Sequence, residues 1–231
     1  MFKNLWQKKE SRHFTFYFFP HSFAAGNIGK IISERETAYQ KISKFLGVDT
    51  PEKIRWYLFP SYEKGKELLG NLEPNQAIAA TSTIFTIHSE HHQQTSGHEL
   101  THILSFYIDT TRTNSYKFLS EGLACYLDQS GKDYDCLAKE LFDSNKIIPS
   151  KEIIDVNDFN KKDPKITYSQ SASFVKFLIE NYGLEKFKGL WVVKKNLKEE
   201  FQSIYQIEFE KIEKEWLEFL TGYQSRKNSR D

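Results

Sequence analysis

Hydrophobic and polar positions alternate with a period of two in several short stretches of the first 95 residues. In HFTFYFF, residues 13–19, three phenylalanines fall on one face, as expected of a β-strand. The stretch KIRWYLFP, residues 53–60, predicts a second strand that ends at its proline. The stretch AIAATSTIFTIH, residues 77–88, is rich in Ala, Thr and Ile and predicts a third strand.

Helical spacing separates these strands. Residues 25–46 carry isoleucines at positions that share one helix face, and Gly47 is a typical helix stop. The stretch SYEKGKELLG, residues 61–70, predicts a short helix with Ser61 as its N-cap. The first part of the chain therefore alternates strand and helix.

From residue 96 onward the pattern is nearly all helical. The segment 145–167 interrupts it with two prolines and several Asn and Asp residues, which predict a long loop. The final helix is predicted to break near Gln206 and Ile207. Helices are predicted over residues 96–108, 119–129, 136–144, 168–182, 185–195 and 197–220.

The element order β-α-β-α-β followed by helices predicts an α+β fold. It would consist of a small N-terminal β-sheet with helices and a mostly helical C-terminal half. No stretch has the composition of a linker, so a single domain over residues 1–231 is expected. Within it, residues 1–95 would form the β/α part and residues 96–231 the helical part.

Composition narrows the classes of function. The 231 residues carry a net charge of +1, which provides no strong field to attract nucleic acid or an anionic membrane. No apolar run approaches the ~20 residues of a membrane span. Two cysteines, Cys125 and Cys136, are too few for a disulfide framework or a cysteine-based zinc site, and two thiols are the favoured interpretation over one disulfide. Oligomeric state is left open by the sequence.

The N-terminus superficially resembles an export signal. A basic stretch precedes FTFYFF, but a signal peptide needs an unbroken apolar core of about 7–15 residues. An aromatic strand is the better interpretation. We expect a cytoplasmic protein if Met1 is the native start, and an exported one if a preceding leader has been removed.

The sequence GHELTH, residues 97–102, contains the motif H-E-x-x-H. On a helix, His98 and His102 share a face, so both imidazoles can reach one metal ion. Glu99 can direct its carboxylate at a water on that ion without binding the metal itself. The alternative for Glu99 is a capping box with Ser96, and Thr95 or Ser96 could cap the helix.

Glu121 supplies a third candidate ligand. Eighteen residues separate it from His102, and it lies near the start of the next predicted helix, in FLSEGLACYL. A catalytic zinc site has three protein ligands and one open position for water. The sequence therefore predicts a Zn²⁺ site made of His98, His102 and Glu121, with Glu99 as general base.

Several stretches resemble one family of enzymes. H-E-x-x-H followed after eighteen residues by Glu is the pattern of the gluzincin metallopeptidases, the thermolysin-like and aminopeptidase-like group. FLSEGLACYL and YSQSASFVKFLIENYG resemble the L-x-E-G-x-A-x-Y-L stretch and the Y-x-Q-S helix of the peptidase MA-like domain. The C-terminal FQSIYQIEFEKIEKEWLEFL resembles the closing segment of that domain, so the resemblance covers nearly the whole chain.

The resemblance implies a zincin-like, thermolysin-like fold and zinc-dependent hydrolysis of peptide or protein substrates. It implies that the strand at 77–88 is the edge strand above the cleft, where a substrate backbone could pair with it. It also implies that Tyr168 lies near the cleft and could donate its hydroxyl to the oxyanion. Tyr168 begins an apolar helix stripe, so a purely packing role is the alternative.

The chain also departs from the family pattern. Thermolysin-like enzymes carry an Asp four residues after the glutamate ligand, and this chain has Cys125 there. The residue that would orient a zinc histidine is therefore unidentified, and Asp128 has little weight for that role. The aminopeptidase stretch G-x-M-E-N is absent, so exopeptidase activity has no support.

Two competing hypotheses remain at this point. The first is a zinc-stabilised binding or scaffold domain without turnover, which the intact Glu99 disfavours because a scaffold needs no base. The second is a helical domain without metal. His88, His91 and His92 are interpreted as exposed loop residues, with a substrate contact as the alternative.

Overall fold

A computed structural model describes residues 5–109, 116–154, 156–192 and 197–224 of the chain. The chain divides into two compact units. The first comprises Met1–Tyr107 with Leu127–Ser130, and the second comprises Ile108–Tyr126 with Gly131–Asp231. The prediction of one domain over the whole chain stays a prediction.

The first unit contains a five-stranded mixed sheet with strand order β1-β2-β3-β5-β4. β1 pairs with β2 and β4 with β5 in antiparallel fashion, whereas the central pairs β2–β3 and β3–β5 are parallel. The described part of the unit also contains three α-helices. One of them, α3, contacts α1 and both β4 and β5. The elements are β1 (Gln7–Glu10), β2 (Phe14–Phe18), α1 (Phe23–Leu46), β3 (Ile54–Phe59), α2 (Tyr62–Leu69), β4 (Gln76–Ile78), β5 (Thr83–Ile87) and α3 (His98–Ser105).

Alternation along the strands separates a buried face from a half-buried one. Phe16 of β2 aligns with Trp56 of β3, and both side chains are fully buried. Tyr17 aligns with Tyr57 on the opposite face, where the two rings stack with centroids 4.5 Å apart. The predicted strand at 13–19 is therefore confirmed, with its phenylalanine face in the core.

Helix ends in this unit follow the predicted local signals. Gly47 closes α1 in the left-handed conformation, with φ of 65°, and its N–H bonds to the Ser43 carbonyl. Ser61 caps α2 by accepting a hydrogen bond from the backbone N–H of Lys64 at 3.2 Å. Both predictions are confirmed.

The prediction of a single edge strand over residues 77–88 is wrong. A 3₁₀ turn at Ala79–Thr81 and a left-handed Ser82, with φ of 45°, fold this segment into the β4–β5 hairpin. The edge strand is β4, whereas β5 lies inside the sheet. The strand β1 was not predicted, because its sequence QKKE has no apolar alternation and all four residues are exposed.

The second unit is helical. Its central helix is α7, which packs on α4, α5, α8 and α10. Phe174 and Trp216 form its aromatic core together with Phe201 and Phe209, all fully buried. The helices are α4 (Lys117–Tyr126), α5 (Tyr134–Asp143), α6 (Val156–Lys161), α7 (Pro164–Tyr182), α8 (Leu184–Trp191), α9 (Leu197–Tyr205) and α10 (Phe209–Gly222).

These helices confirm the mostly helical C-terminal half and hence the predicted α+β class. The break near Gln206 is confirmed, since α9 ends at Tyr205 and Gln206 has a positive φ of 60°. The predicted helix 185–195 is confirmed as far as Trp191, while residues 193–195 lie outside the described residues.

The prediction of a long loop over 145–167 is wrong in part. It contains a 3₁₀ turn at Ser150–Glu152 and α6, and α7 begins inside it at Pro164. Asp163 caps α7 by accepting from the N–H of Lys165 at 2.9 Å, and Pro164 occupies the first turn, where no N–H is needed. An Asp-Pro pair is a helix start signal that the loop prediction overlooked.

Across the described parts of the chain, no helix has the length and apolarity that crossing a membrane requires. In the same residues, Cys125 and Cys136 are not joined by a disulfide.

Candidate metal centre

The helix α3 carries the H-E-x-x-H motif and begins at His98, with Gly97 as its N-cap. Gly97 makes no side-chain cap, and its carbonyl instead accepts from both the N–H and the hydroxyl of Thr101, each at 2.8 Å. The predicted cap by Thr95 or Ser96 is therefore wrong. Because Ser96 is not the N-cap, the capping-box interpretation of Glu99 loses its basis.

The backbone of Leu127 and Asp128, called the strap below, packs on the start of this helix. The N–H of Gly97 donates to the carbonyl of Asp128 at 3.0 Å. A β-carbon on Gly97 would lie 2.3 Å from the carbonyl oxygen of Leu127, which no real contact allows. Gly97 is therefore required by the close approach of the strap. From the sequence, Asp128 had little weight as a residue that orients a zinc histidine. In the structure its side chain is buried, and its backbone carbonyl accepts the hydrogen bond from Gly97.

The two histidines of α3 lie on one face, as the spacing predicts. The ring centroids of His98 and His102 are 5.1 Å apart and nearly perpendicular, at 82°. Both side chains are half-buried, so part of each ring remains accessible. Glu99, between them in sequence, is only 5% exposed. A carboxylate so shielded from water interacts more strongly with nearby charge than an exposed one does.

Glu121 lies in the middle of α4, which begins two residues earlier and ends three residues earlier than predicted. The next residue, Gly122, lies against α7. A β-carbon on Gly122 would come within 2.6 Å of the Ser171 carbonyl oxygen and 2.7 Å of a Val175 methyl group. Gly122 therefore lets α4 pack closely on α7.

Ligand atoms of His98, His102 and Glu121 all lie within 4.8 Å of one another. Within the described residues, this is the one group of three or more His, Cys, Asp or Glu side chains placed to hold a metal ion. Two imidazole nitrogens and one carboxylate oxygen form a donor set that suits zinc and leaves a fourth position for water. The donor chemistry therefore fits the predicted ion.

Tyr168 was predicted to open its helix beside a loop. The structure puts it in the second turn of α7, half-buried, with its ring 5.8 Å from that of Phe159 in α6. The start position is therefore corrected. Its role as an oxyanion donor remains untested.

The three histidines before α3 do not form one class. His91 and His92 are exposed, as predicted, in a turn where the Ser89 N–H donates to the His92 carbonyl at 2.8 Å. His88 is only 3% exposed, and its prediction as an exposed loop residue is wrong. Directly after β5, the backbone of His88 forms an isolated antiparallel β-bridge with Gln93. This backbone pairing accompanies the burial of the imidazole.

Burial changes the chemistry of His88. Burial, as the largest cause, and the nearby charges of Arg35 and Lys30 together lower the pKa of the imidazole to about 4. Its Nδ1 is buried and has no hydrogen-bond partner among the described residues. His88 is therefore neutral at physiological pH.

These features define a class: an α+β chain of zincin-like fold whose H-E-x-x-H helix and following glutamate form a candidate metal centre. A family model described as the peptidase MA superfamily matches residues 75–222, which include α3, α4 and α7. The match covers more than half of the chain, and the chain belongs to the peptidase MA superfamily. A search of curated proteins found no match.

Proposed function

We propose that the chain is a zinc-dependent peptidase that hydrolyses peptide bonds in a peptide or protein substrate. The observation that carries this proposal is the placement of ligand atoms of His98, His102 and Glu121 within 4.8 Å of one another. Membership of the peptidase MA superfamily, which generally uses zinc, supports it. His98 and His102 would each bind the ion through a ring nitrogen, and Glu121 through a carboxylate oxygen.

Glu99 is the proposed general base. Its carboxylate would accept a proton from the attacking water and pass that proton to the nitrogen of the leaving amine. Its burial supports this role, because the exclusion of water strengthens the electrostatic interactions of a carboxylate with the groups beside it. Because Gly97 and not Ser96 is the N-cap, the capping box no longer competes with the role of Glu99 as a base.

When bound, zinc would lower the pKa of a coordinated water and polarise the scissile carbonyl. Tyr168 is the proposed donor of a hydroxyl hydrogen bond to the oxyanion. The edge strand β4 is the proposed place for substrate pairing, since it contacts α3 and its outer edge takes no strand of the described sheet.

Incubation of the purified protein with a mixed peptide library, with and without a zinc chelator, tests the proposal. We expect chelator-sensitive cleavage that zinc restores. A chain that retains zinc but cleaves no peptide would be a zinc-stabilised binding domain, which contradicts the proposed turnover. A chain that binds no zinc would contradict the metal centre itself.

A further inference from the structure

Arg35 of α1 is a buried cation with no carboxylate at hydrogen-bond distance among the described residues. Its side chain is 2% exposed, and the guanidinium carbon lies 4.9 Å from the centre of the Trp56 ring. The acidic group beside it is Glu34, whose carboxylate oxygen lies 3.7 Å from Nη1 and whose side chain is 45% exposed. Burial of a charge without a hydrogen-bonded counter-ion is costly. An arginine in this position therefore needs a reason beyond packing.

The guanidinium reaches a distant backbone group. Its Nη2 donates to the carbonyl of Gln94 at 3.0 Å, across 59 positions of sequence. Gln94 lies only four residues before His98, the first residue of α3. The Trp56 ring on the other side of the guanidinium is itself held, because its Nε1 donates to the Thr86 hydroxyl at 2.8 Å in the buried interior. Arg35 thus connects a rigid part of the core to the approach of the metal-binding helix.

We define residues 88–97 as the lead-in segment of α3. Its first end is anchored where the N–H of His88 donates to the Phe59 carbonyl at 2.8 Å. Its last end is anchored where the N–H of Gly97 donates to the Asp128 carbonyl at 3.0 Å. The bond from Arg35 holds the segment between these anchors, where it has no regular secondary structure.

We propose that Arg35 is a positioning residue, whose bond to the Gln94 carbonyl orders the lead-in segment and so places His98 and Glu99 at the start of α3. This inference rests on the proposed function of α3 and adds a residue that the H-E-x-x-H motif does not contain. Burial lowers the pKa of Arg35 to about 10, which still leaves it charged at neutral pH. The guanidinium that donates to the Gln94 carbonyl is therefore a cation.

Two substitutions of Arg35 and one control test the inference. Arg35→Met introduces an unbranched apolar side chain and removes every hydrogen-bond donor of the guanidinium. Arg35→Lys keeps the charge but replaces the planar fork with one ammonium. The control, Tyr39→Phe, removes a hydroxyl at another buried position of α1, where it donates to Asp49 and contacts Thr50 at 3.0 Å.

Two quantities are measured on each variant of the full chain. Amide hydrogen exchange of residues 88–98 is recorded without metal, and zinc affinity is measured by competition with a chromophoric chelator. For Arg35→Met we expect faster exchange in the lead-in segment and zinc affinity lower by about tenfold, the lower end of what loss of a supporting hydrogen bond produces. Arg35→Lys should fall between Arg35→Met and the wild type, and Tyr39→Phe should match the wild type in both quantities.

Unchanged exchange in Arg35→Met would overturn the inference, and so would faster exchange with unchanged zinc affinity. If Arg35→Met does not fold, Arg35→Lys decides, because wild-type exchange and affinity in that variant would show that the guanidinium is not needed. If the wild type binds no zinc, the proposed function fails. Faster exchange in the metal-free variants would then still support the ordering of the lead-in segment by Arg35.

Discussion

Gly122 of α4 lies so close to Ser171 of α7 that a β-carbon on the glycine would stand 2.6 Å from the Ser171 carbonyl oxygen. The helix φ of Gly122 is ordinary, so the requirement is one of space and not of backbone conformation. The glycine directly follows Glu121, the candidate ligand. The distance between the two helix backbones therefore sets where the carboxylate of Glu121 stands.

Gly122→Ala is expected to destabilise the protein and weaken zinc binding. The added methyl group meets backbone, which cannot move aside as a flexible side chain can, and overpacking of this kind costs about 1–3 kcal/mol. Urea unfolding and zinc competition measure the two effects. The matched control is Gly29→Ala in α1, where a β-carbon meets nothing within 4 Å. It should stabilise the protein by about 0.5–1 kcal/mol. Equal stability of the two variants would contradict the packing argument.

The purified protein is expected to contain about one zinc ion per chain, bound by nitrogen and oxygen, in line with the usual composition of catalytic zinc sites. Metal analysis gives the amount, and X-ray absorption gives the ligand atoms. His98→Ala and Glu121→Ala should each lower zinc content, whereas His91→Ala, at an exposed histidine, should not. A sulfur atom in the first coordination shell would overturn the assignment of the three ligands.

Glu99→Gln is expected to retain zinc and to lose hydrolysis. The substitution keeps the shape of the side chain and removes the oxygen that accepts a proton, so kcat should fall by at least about 10²-fold. Zinc content and peptide cleavage are measured on the same preparation. If zinc content falls as far as in His98→Ala, Glu99 is a ligand or a structural residue instead of a base.

Tyr168→Phe separates an oxyanion donor from a packing residue. The variant keeps the ring, which lies 5.8 Å from Phe159, and deletes only the hydroxyl. Loss of an oxyanion donor typically lowers kcat by about 10²–10³-fold, so we expect kcat to fall by at least about tenfold with unchanged zinc content and melting temperature. Full turnover in the variant would return Tyr168 to a packing role. His91 and His92 would then be the next candidates to test.

His88 is expected to make stability depend on pH. Its folded pKa of about 4 lies below the unfolded value of about 6.5, so between these values the unfolded chain binds a proton that the folded chain does not. The contribution of His88 to the free energy of unfolding is therefore highest above pH 6.5 and falls as the pH drops toward 4. The loss attributable to this group is about 1–3 kcal/mol.

Urea unfolding of the wild type and His88→Phe at pH 7 and pH 4.5 measures this contribution. The variant should lose less stability between the two pH values than the wild type does. His91→Phe, at an exposed histidine, should keep the wild-type dependence. An identical pH dependence in His88→Phe and the wild type would show that other groups cause it.

Local signals predicted much of the fold. The strand at Phe14–Phe18, the caps at Ser61 and Gly47 and the break at Gln206 each depend on side chains within a few residues of one another. The same holds for the metal ligands of α3, because the spacing of His98 and His102 specifies a shared face on any helix. The third candidate ligand, Glu121, was predicted from its spacing after His102 and its position in the next helix.

Some wrong predictions came from signals in the sequence that were overlooked. Asp163 and Pro164 begin α7 by ordinary capping chemistry, and their presence inside a polar stretch concealed the helix start. The wrong single strand over residues 77–88 has a different cause. Its run of Ala, Thr and Ile continues past Ser82 without a Gly or Pro turn signal, and the pairing of β4 with β5 accompanies the reversal there.

The sequence by itself determined the class of fold, the helix signals at Gly47 and Ser61 and the identity of the candidate ligands, because these depend on local propensity and on the chemistry of individual side chains. Tertiary structure decided the order of the strands, the burial of His88 and the bond from Arg35 to Gln94, 59 positions away. The physical reason is that pairing partners and solvent exposure depend on which distant segments meet. No local pattern around Arg35 indicates which backbone carbonyl its guanidinium will reach.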